Sequence, residues 1–304
     1  MTSILKRVAI AGGLLLGAGG ALAADLPPHA YPVEPVAPVQ VAIGSGWYLR
    51  GDVGVGIYDN YEPQVILPQG TSVDKSFKFV GKEIEDTVFI GGGVGYQFNS
   101  FLRFDGTLEY RTATKFENID KSKYGNTFVY QDGTVGNETI FQSNKTVGSL
   151  SSIVALANVY FDLGTWHGLS PFVGAGVGFA HNRVGKLNDF GSVEIQSDVE
   201  QTKFFSPMAY SNAREKTDLA WAVHAGLGYE ITQNLKLELA YRYLNMGDAH
   251  SGGLITLPKH EIDGRGVKLK EIESHDIKLG MRWTFADYGY HAPVVHAAAP
   301  IRKY

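Results

Sequence analysis

Carboxylates and arginines that alternate within one segment are the first residues in this 304-residue sequence whose types could do chemistry. Asp105 and Glu109 stand between Arg103 and Arg111, all at odd positions. Two carboxylates can act as general acid and general base, but carboxylates flanked by guanidinium groups stay ionised and pair with them. The spacing therefore predicts ion pairs and assigns no catalytic residue.

The remaining reactive side chains also form no recognisable catalytic or metal site. The chain has no cysteine, which excludes disulfides, thiolate metal sites and cysteine nucleophiles. His181, His224 and His275 stand apart from any nucleophile motif, and a single histidine on a strand is usually a satisfied structural residue. The Gly-rich runs lack the strand-to-helix context of a phosphate-binding loop. We predict a non-enzymatic protein with no metal and no cofactor.

The N-terminus has the three parts of an export signal. Lys6 and Arg7 are positive, Val8 to Gly20 is an apolar run of small residues, and Ala21-Leu22-Ala23 suits signal peptidase. We predict a signal peptide over 1–23 that is cleaved before Ala24.

Beyond this signal peptide, no apolar run is long enough for a membrane-spanning helix. The net charge of −4 and the lack of a basic block argue against a nucleic-acid partner.

Two segments without periodicity flank the central region. Residues 24–46 carry five prolines, which disfavour helix and central strand, so they are predicted to be an extended periplasmic linker. Residues 286–304 show no alternation and are predicted to be a C-terminal tail. The region 47–285 between them is the predicted folded domain.

Eight segments of this central region alternate apolar and polar residues with a period of two, as a β-strand requires. The eight segments are Trp47–Tyr58, Thr87–Phe98, Phe101–Thr112, Ser151–Leu163, Pro171–Asn182, Asp218–Ile231, Leu235–Met246 and Ser274–Phe285. Short connections alternate with four long ones, at about 59–86, 113–150, 183–217 and 247–273. This arrangement predicts an all-β fold, an antiparallel up-and-down transmembrane barrel with eight strands and four long external loops.

Two alternatives stay open at this point. A secreted sandwich or lipocalin-like barrel would also alternate, but its polar face would be a solvated mixture of Lys, Glu and Ser. Here the polar face is rich in glycine and the apolar face carries aromatics near strand ends, as in an interfacial girdle. The β-prone pieces Thr127–Tyr130 and Ser192–Ile195 would either extend hairpins above the membrane or, if they span it, give ten strands.

Four motifs resemble a known family. Ala23–Pro27, Trp47–Gly51, Pro171–Gly178 and Gly280–Phe285 resemble segments of the alphaproteobacterial outer-membrane β-barrel proteins of the small porin-like, opacity-type family. The resemblance implies an outer-membrane location, contact with outer-membrane lipid, and a role in the envelope. It also implies insertion by the barrel-assembly machinery, whose signal would be carried by Lys278, Gly280, Trp283 and Phe285.

The inward strand positions carry a balanced set of charges. The basic set is Arg50, Arg103, Arg111, Lys236, Arg242, Lys278 and Arg282, and the acidic set is Asp52, Asp105, Glu109, Asp162, Glu230, Glu238 and Asp276. Charges in a narrow lumen must pair or meet water, because unpaired buried charge is costly. Since eight strands leave room only for side chains, we predict a paired network that fills the lumen. The same residues would line the path if the barrel conducts.

Three functions remain compatible with the sequence. The leading expectation is a non-enzymatic outer-membrane protein that contributes to envelope integrity and surface contact. The alternatives are a low-conductance porin for small polar solutes, and an adhesin that captures host or environmental ligands through its long external loops.

Overall fold

The computed structural model describes residues 46–59, 61–66, 76–129, 132–256, 260–261 and 266–285. The predicted signal peptide, almost all of the predicted linker and the predicted C-terminal tail lie outside these residues. Among the described residues, no helix is long and apolar enough to cross a membrane.

Most of the described residues form strands. In order, they are β1 Gly46–Tyr58, β2 Glu62–Ile66, β3 Lys78–Ile84, β4 Thr87–Gln97, β5 Leu102–Val129, β6 Val135–Asp162, β7 Leu169–Val184, β8 Leu187–Ser197, β9 Lys203–Phe205, β10 Met208–Ser211, β11 Arg214–Glu230, β12 Leu235–Asn245, β13 Ala249–His250, β14 Leu254–Thr256, β15 His260–Glu261, β16 Gly266–Lys270 and β17 Glu273–Thr284.

Eight of these strands pair in a closed cycle. The antiparallel order is β1-β4-β5-β6-β7-β11-β12-β17, and β17 returns to β1 with Tyr48 opposite Thr284 and Tyr58 opposite Ser274. Each of the eight predicted segments overlaps one strand of this ring, and the predicted all-β antiparallel class is confirmed. Closure matters because it leaves no ring strand with an unpaired edge.

Short turns connect the ring strands at one end. Phe98 N donates to Leu102 O at 2.9 Å in the first turn, and Ile231 N donates to Leu235 O at 2.9 Å in the third. The middle link, 163–168, contains Gly164 and Gly168 with φ of 111° and 81°, a conformation that favours glycine.

At the other end, β5 and β6 continue far beyond the ring. Each has 28 residues, whereas β1 has 13 and β12 has 11. The register of β5 shifts between Arg111 and Thr114, and beyond this point its neighbours are β3 and the upper part of β6. β8, β10 and β14 extend the sheet further. We call the parts of β5 and β6 beyond the shift, together with β3, β8, β9, β10, β14 and β15, the external sheet.

The external sheet corrects part of the predicted loops. The segments 113–150 and 183–217 were expected to be loops, yet they are largely strand. The strands include the predicted piece Ser192–Ile195 and the predicted piece Thr127–Tyr130 up to Val129, since Tyr130 lies outside the described residues. Each piece pairs with the part of β6 that lies outside the ring, so both lengthen hairpins and add no strand to the cycle.

The two faces of the ring differ as the alternation predicts. Outward positions hold exposed apolar side chains such as Leu108, Ile153 and Leu279. Inward positions hold charged groups, glycines and a few aromatics. Glycine is needed where a large neighbour lies against the wall, since a side chain at Gly95 would overlap the Tyr48 ring and one at Gly174 would overlap the Tyr160 ring.

A compact apolar cluster lies where the ring meets the external segments. Its members include Phe116, Leu150, Leu187, Met246 and Ile272, all buried. Tyr61, from the connection after β1, packs edge-on against Phe116 with ring centroids 6.4 Å apart. This cluster caps the polar interior of the ring at its external end.

Candidate functional site

The interior of the ring contains two groups of ion pairs. The group nearer the short turns, which we call the lower network, is centred on Arg50 of β1. Its guanidinium lies 2.8 Å from Asp52 and 2.7 Å from Asp105, and 3.5 Å from Glu238. Arg50 thus links three strands, β1, β5 and β12, through a single side chain.

Glu238 is the acidic centre of the same network. Arg103 and Arg282 approach its carboxylate at 3.4 and 3.1 Å, in addition to Arg50. The network is completed by Arg103 with Asp162 at 3.2 Å and by Lys278 with Asp52 at 3.6 Å. The members are Arg50, Arg103, Lys278 and Arg282 with Asp52, Asp105, Asp162 and Glu238, four cations against four anions.

The second group, the upper network, lies nearer the external end. Arg111 contacts Asp276 at 2.9 Å and Glu109 at 3.1 Å. Arg242 contacts the same two carboxylates, Glu109 at 2.8 Å and Asp276 at 2.6 Å. Ser274 Oγ accepts from Arg111 and donates to Asp276. Two cations and two anions therefore form a closed square in which every charge meets two opposite charges.

Both networks cross the full width of the barrel. Arg242 and Glu109 lie on β12 and β5, which are four places apart in the cycle of eight and so face each other across the lumen. Arg103 and Glu238 join the same two strands at the lower level. Side chains from opposite walls thus meet in the centre.

Aromatic rings fill the space between the guanidinium groups. The Phe89 ring lies between Arg111 and Arg242, at 5.0 and 5.1 Å from their central carbons. The Tyr160 ring centre is 4.1 Å from the central guanidinium carbon of Arg103, and Tyr160 Oη accepts a hydrogen bond from Arg50 Nη1 at 3.1 Å. Such contacts favour cations in a desolvated site.

Local sequence explains why these side chains converge. Arg50 and Asp52, Glu109 and Arg111, and Asp276 and Lys278 are pairs at i and i+2, which a strand places on one face. Arg103 and Arg111 are fully buried, so each must have a partner, because an unpaired charge there would cost several kcal/mol.

Two predicted members lie outside both networks. Glu230 and Lys236 are opposite each other on β11 and β12, next to a short turn, and both are half-buried. Neither forms an ion pair with another described residue. Their position at the barrel end gives them access to water, which removes the need for a partner.

The four residues of the predicted assembly signal divide between the two faces. Lys278 points into the lower network, and Gly280 leaves room for Asp52, which a side chain there would overlap. Trp283 and Phe285 are exposed on the outer face, at 48% and 56%.

Uncharged polar residues complete the site and were not predicted from sequence. Asn158 Nδ2 donates to Asp105 at 2.7 Å, and Gln97 Oε1 accepts from Arg282 at 2.9 Å. Both stand at inward positions of ring strands, so applying the alternation to amide side chains as well as to charges would have found them.

The histidines differ in their surroundings. His181 and His275 are half-buried near the external end, and His275 Nδ1 is 2.6 Å from Tyr241 Oη. His224 is 3% exposed, with its ring 5.3 Å from that of Tyr160, and neither nitrogen has a hydrogen-bond partner among the described residues. We expected a structural histidine whose ring nitrogens are hydrogen-bonded, and for His224 this expectation is wrong.

The described residues contain no group of three or more His, Cys, Asp or Glu suited to a metal ion.

Comparisons with known proteins agree with this architecture. The family model of the outer membrane protein beta-barrel domain matches residues 16–285. An uncharacterised protein of Brucella suis is 28% identical over 90% of this chain and 95% of its own. A protein provisionally named an adhesin, from Rickettsia prowazekii, is 24% identical over 79% of this chain and 88% of its own.

Among solved structures, the outer membrane protein OprG from Pseudomonas aeruginosa aligns with 80% of this chain and 96% of its own, at 13% identity and a TM-score of 0.40. The match of the family model over most of the sequence is the decisive result. The chain belongs to the outer membrane protein beta-barrel domain family, and it is a protein of the outer membrane.

Proposed function

We propose that this protein is a non-enzymatic barrel that contributes to outer-membrane integrity and surface contact, with a lumen closed to solutes. The observation that carries the proposal is the contact between Arg242 and Glu109, which joins opposite walls of the ring at 2.8 Å. A pair that bridges the diameter occupies the axis along which a solute would pass.

Three further features support a closed lumen. The lower network bridges the same two strands through Arg103 and Glu238. Aromatic rings of Phe89 and Tyr160 lie between the guanidinium groups. The apolar cluster around Phe116 and Leu187 caps the external end. Together they match the general expectation that side chains fill the interior of an eight-stranded barrel.

The test is single-channel conductance of the refolded protein in a planar bilayer. We expect no steady openings from the wild type. The double variant R242A/E109A removes the crossing pair without leaving an unpaired charge from that pair, and we expect only brief, small openings from it, because the lower network and the apolar cluster remain. R183A/E215A, which removes an exposed pair at the external end, is the matched control and should stay silent. Heat-modifiable gel mobility checks that each variant is folded.

Steady conductance from the wild type would overturn the closed lumen and favour the low-conductance porin, with both networks as its lining. Envelope integrity is tested separately, by the detergent sensitivity of a deletion strain. We expect complementation by the wild type and by a variant with a shortened external sheet, since the ring carries this role.

A second candidate is adhesion through the external sheet. It is favoured by the length of β5 and β6 beyond the ring and by the similarity to the Rickettsia protein provisionally named an adhesin. Loss of binding to host cells on shortening the sheet, with detergent resistance retained, would support it. The other proposed partners are outer-membrane lipid around the ring and the barrel-assembly machinery during insertion.

A further inference from the structure

The external sheet has an outward face that continues the lipid-facing side of the ring. Along β6, Phe161 and Ile153 face outward within the ring, and the same alternation continues without a register shift to Lys145, Ser143 and Phe141. Phe141 is twelve positions from Ile153, which corresponds to roughly 40 Å along the strand. Strand tilt reduces this to a height of about 30 Å above Ile153.

A shallow groove of about 360 Å³ lies on this face. Lys121, Lys123, Phe141, Ser143 and Ser192 line it, and we call it the lysine groove. Lys121, Ser143 and Ser192 form one row across β5, β6 and β8, and Lys123 and Phe141 stand in the next row. Two rows of side chains from three strands therefore form one surface.

The lysines of the groove have no ion-pair partner among the described residues. Lys78 on β3 is directly opposite Lys121, and like charges in that arrangement repel. Within the described residues, Lys78, Lys121 and Lys123 form no ion pair, although Lys123 lies 5.0 Å from the centre of the Phe141 ring. Lys145, on the same face, differs because it pairs with Glu117 at 2.8 Å. The one carboxylate in the groove lining is Glu194, which accepts from Gln196 at 2.8 Å.

These features combine the chemistry that recognises an acidic sugar. The ammonium groups match phosphate or carboxylate, the serine hydroxyls can exchange hydrogen bonds with sugar hydroxyls, and an aromatic ring can pack on the apolar face of a sugar. The orientation of this outward face of the external sheet indicates which acidic sugar is within reach. It points sideways over the membrane surface, at a height beyond the acyl chains, where the neighbouring molecules are the saccharide parts of outer-leaflet glycolipids.

We propose that the lysine groove binds the anionic saccharide of an outer-leaflet glycolipid, and so fastens the external sheet to the surface of its own membrane. This rests on the surface-contact part of the proposed function, but it is independent of whether the lumen conducts. Its readout is saccharide binding, so failure here and failure of the closed lumen are distinguishable.

The experiment is calorimetric titration of the full chain in phosphatidylcholine nanodiscs. The probe is the deacylated, phosphorylated core oligosaccharide of a rough lipopolysaccharide. We expect saturable binding that weakens at high salt, and no binding of a neutral dextran oligosaccharide. K121A/K123A should weaken binding about tenfold or more, because each lysine supplies a charged contact. K145A is the control and should bind as the wild type, since its charge is already paired.

Glu194 provides a variant with the opposite effect. E194Q removes the one negative charge in the groove lining, so it should tighten binding of the core oligosaccharide while leaving the fold unchanged by heat-modifiable mobility. Equal losses in K145A and K121A/K123A, or equal binding of the neutral oligosaccharide, would overturn the site. Binding of a heparin octasaccharide without binding of the core oligosaccharide would overturn the assignment to the protein's own membrane.

Discussion

The barrel interior and the external sheet use the same two strands, β5 and β6, but treat charge in opposite ways. In the interior, Arg103 and Arg111 on β5 are fully buried and each contacts two carboxylates. Farther along the same strand, Lys121 and Lys123 are exposed and form no ion pair with a described residue. Burial therefore decides which charges must be paired.

This difference separates residues that stabilise from residues that can bind. The lower and upper networks are electrically balanced, so they have no remaining charge for a ligand. The lysine groove is lined by two lysines and one carboxylate, with Lys78 opposite Lys121 on the neighbouring strand, and it is accessible to water, where an unpaired charge costs little. An anionic ligand therefore gains more binding free energy at the lysine groove than at the two networks.

The largest expected effect comes from breaking the upper network on one side only. R242A leaves Glu109 and Asp276 with only Arg111 between them, so a buried carboxylate loses its partner. We expect a loss of about 3–5 kcal/mol in the free energy of unfolding. Urea unfolding in detergent micelles, followed by heat-modifiable mobility, measures it.

The double variant R242A/E109A tests whether this loss of stability comes from the unpaired charge. Because it removes one charge of each sign, it should be clearly more stable than R242A alone. If the two variants are equally stable, the contact between opposite walls does not stabilise the barrel, and the separation of roles between the two regions fails.

A smaller loss of stability is expected from replacing a glycine that faces the lumen. Gly178 faces inward on β7, and a methyl group there would overlap the carbonyl oxygen of Ala155. G178A should therefore destabilise the barrel by about 1–3 kcal/mol. Gly106 faces outward with nothing within 4 Å, so G106A should be neutral. Equal unfolding midpoints for the two variants would contradict the close approach of the β6 backbone to Gly178.

Much of the fold followed from the period of two alone. All eight ring strands were located because apolar and polar residues alternate strictly where one face meets lipid and the other the lumen. The external sheet was assigned mostly to loops because its residues are polar on both faces, as in Lys121-Ser122-Lys123, so alternation gives no signal. The register shift between Arg111 and Thr114 also interrupts the pattern in β5.

For the candidate site, alternation identified the inward charges but not their partners. Arg242 and Glu109 are 133 residues apart, and their contact depends on the strand order and stagger of the closed ring. The division into two balanced networks, and the exclusion of Glu230 and Lys236, depend on the same three-dimensional positions. The lysine groove depends on β3 and β8 joining β5 and β6, which no local pattern reveals.

The external sheet also contains a carboxyl group with a shifted titration. Burial raises the pKa of Asp120 to about 6, and the nearby charge of Asp189 adds to this, while a hydrogen bond from Asn144 opposes it. Between about pH 4 and 6 the folded sheet retains a proton that the unfolded chain releases. Its stability should therefore fall as pH rises through this range, by on the order of 1 kcal/mol.

Two amide groups report on this shift by NMR. The Asn144 side-chain amide donates to Asp120 at 2.9 Å, so its resonance should titrate with a midpoint near pH 6. The Thr134 backbone amide donates to the exposed Asp132 at 2.9 Å, and its hydrogen bond lowers the pKa of that carboxyl. Its resonance should titrate at clearly lower pH. If the two resonances titrate with the same midpoint, Asp120 and Asp132 have the same pKa, and burial does not raise the pKa of Asp120.

The smallest effect is expected from an ion pair that resembles Arg242–Glu109 in type but is exposed. Arg183 and Glu215 are opposite each other on β7 and β11, 3.5 Å apart, with side chains 60% and 52% exposed. A double-mutant cycle of R183A and E215A should give a coupling of about 0.2–1 kcal/mol that disappears at high salt. The same cycle on R242A and E109A should give a larger coupling that salt changes little, because water and ions do not reach the buried pair. Equal couplings would mean that the lumen is as well hydrated as the surface, and a hydrated lumen would favour conduction over closure.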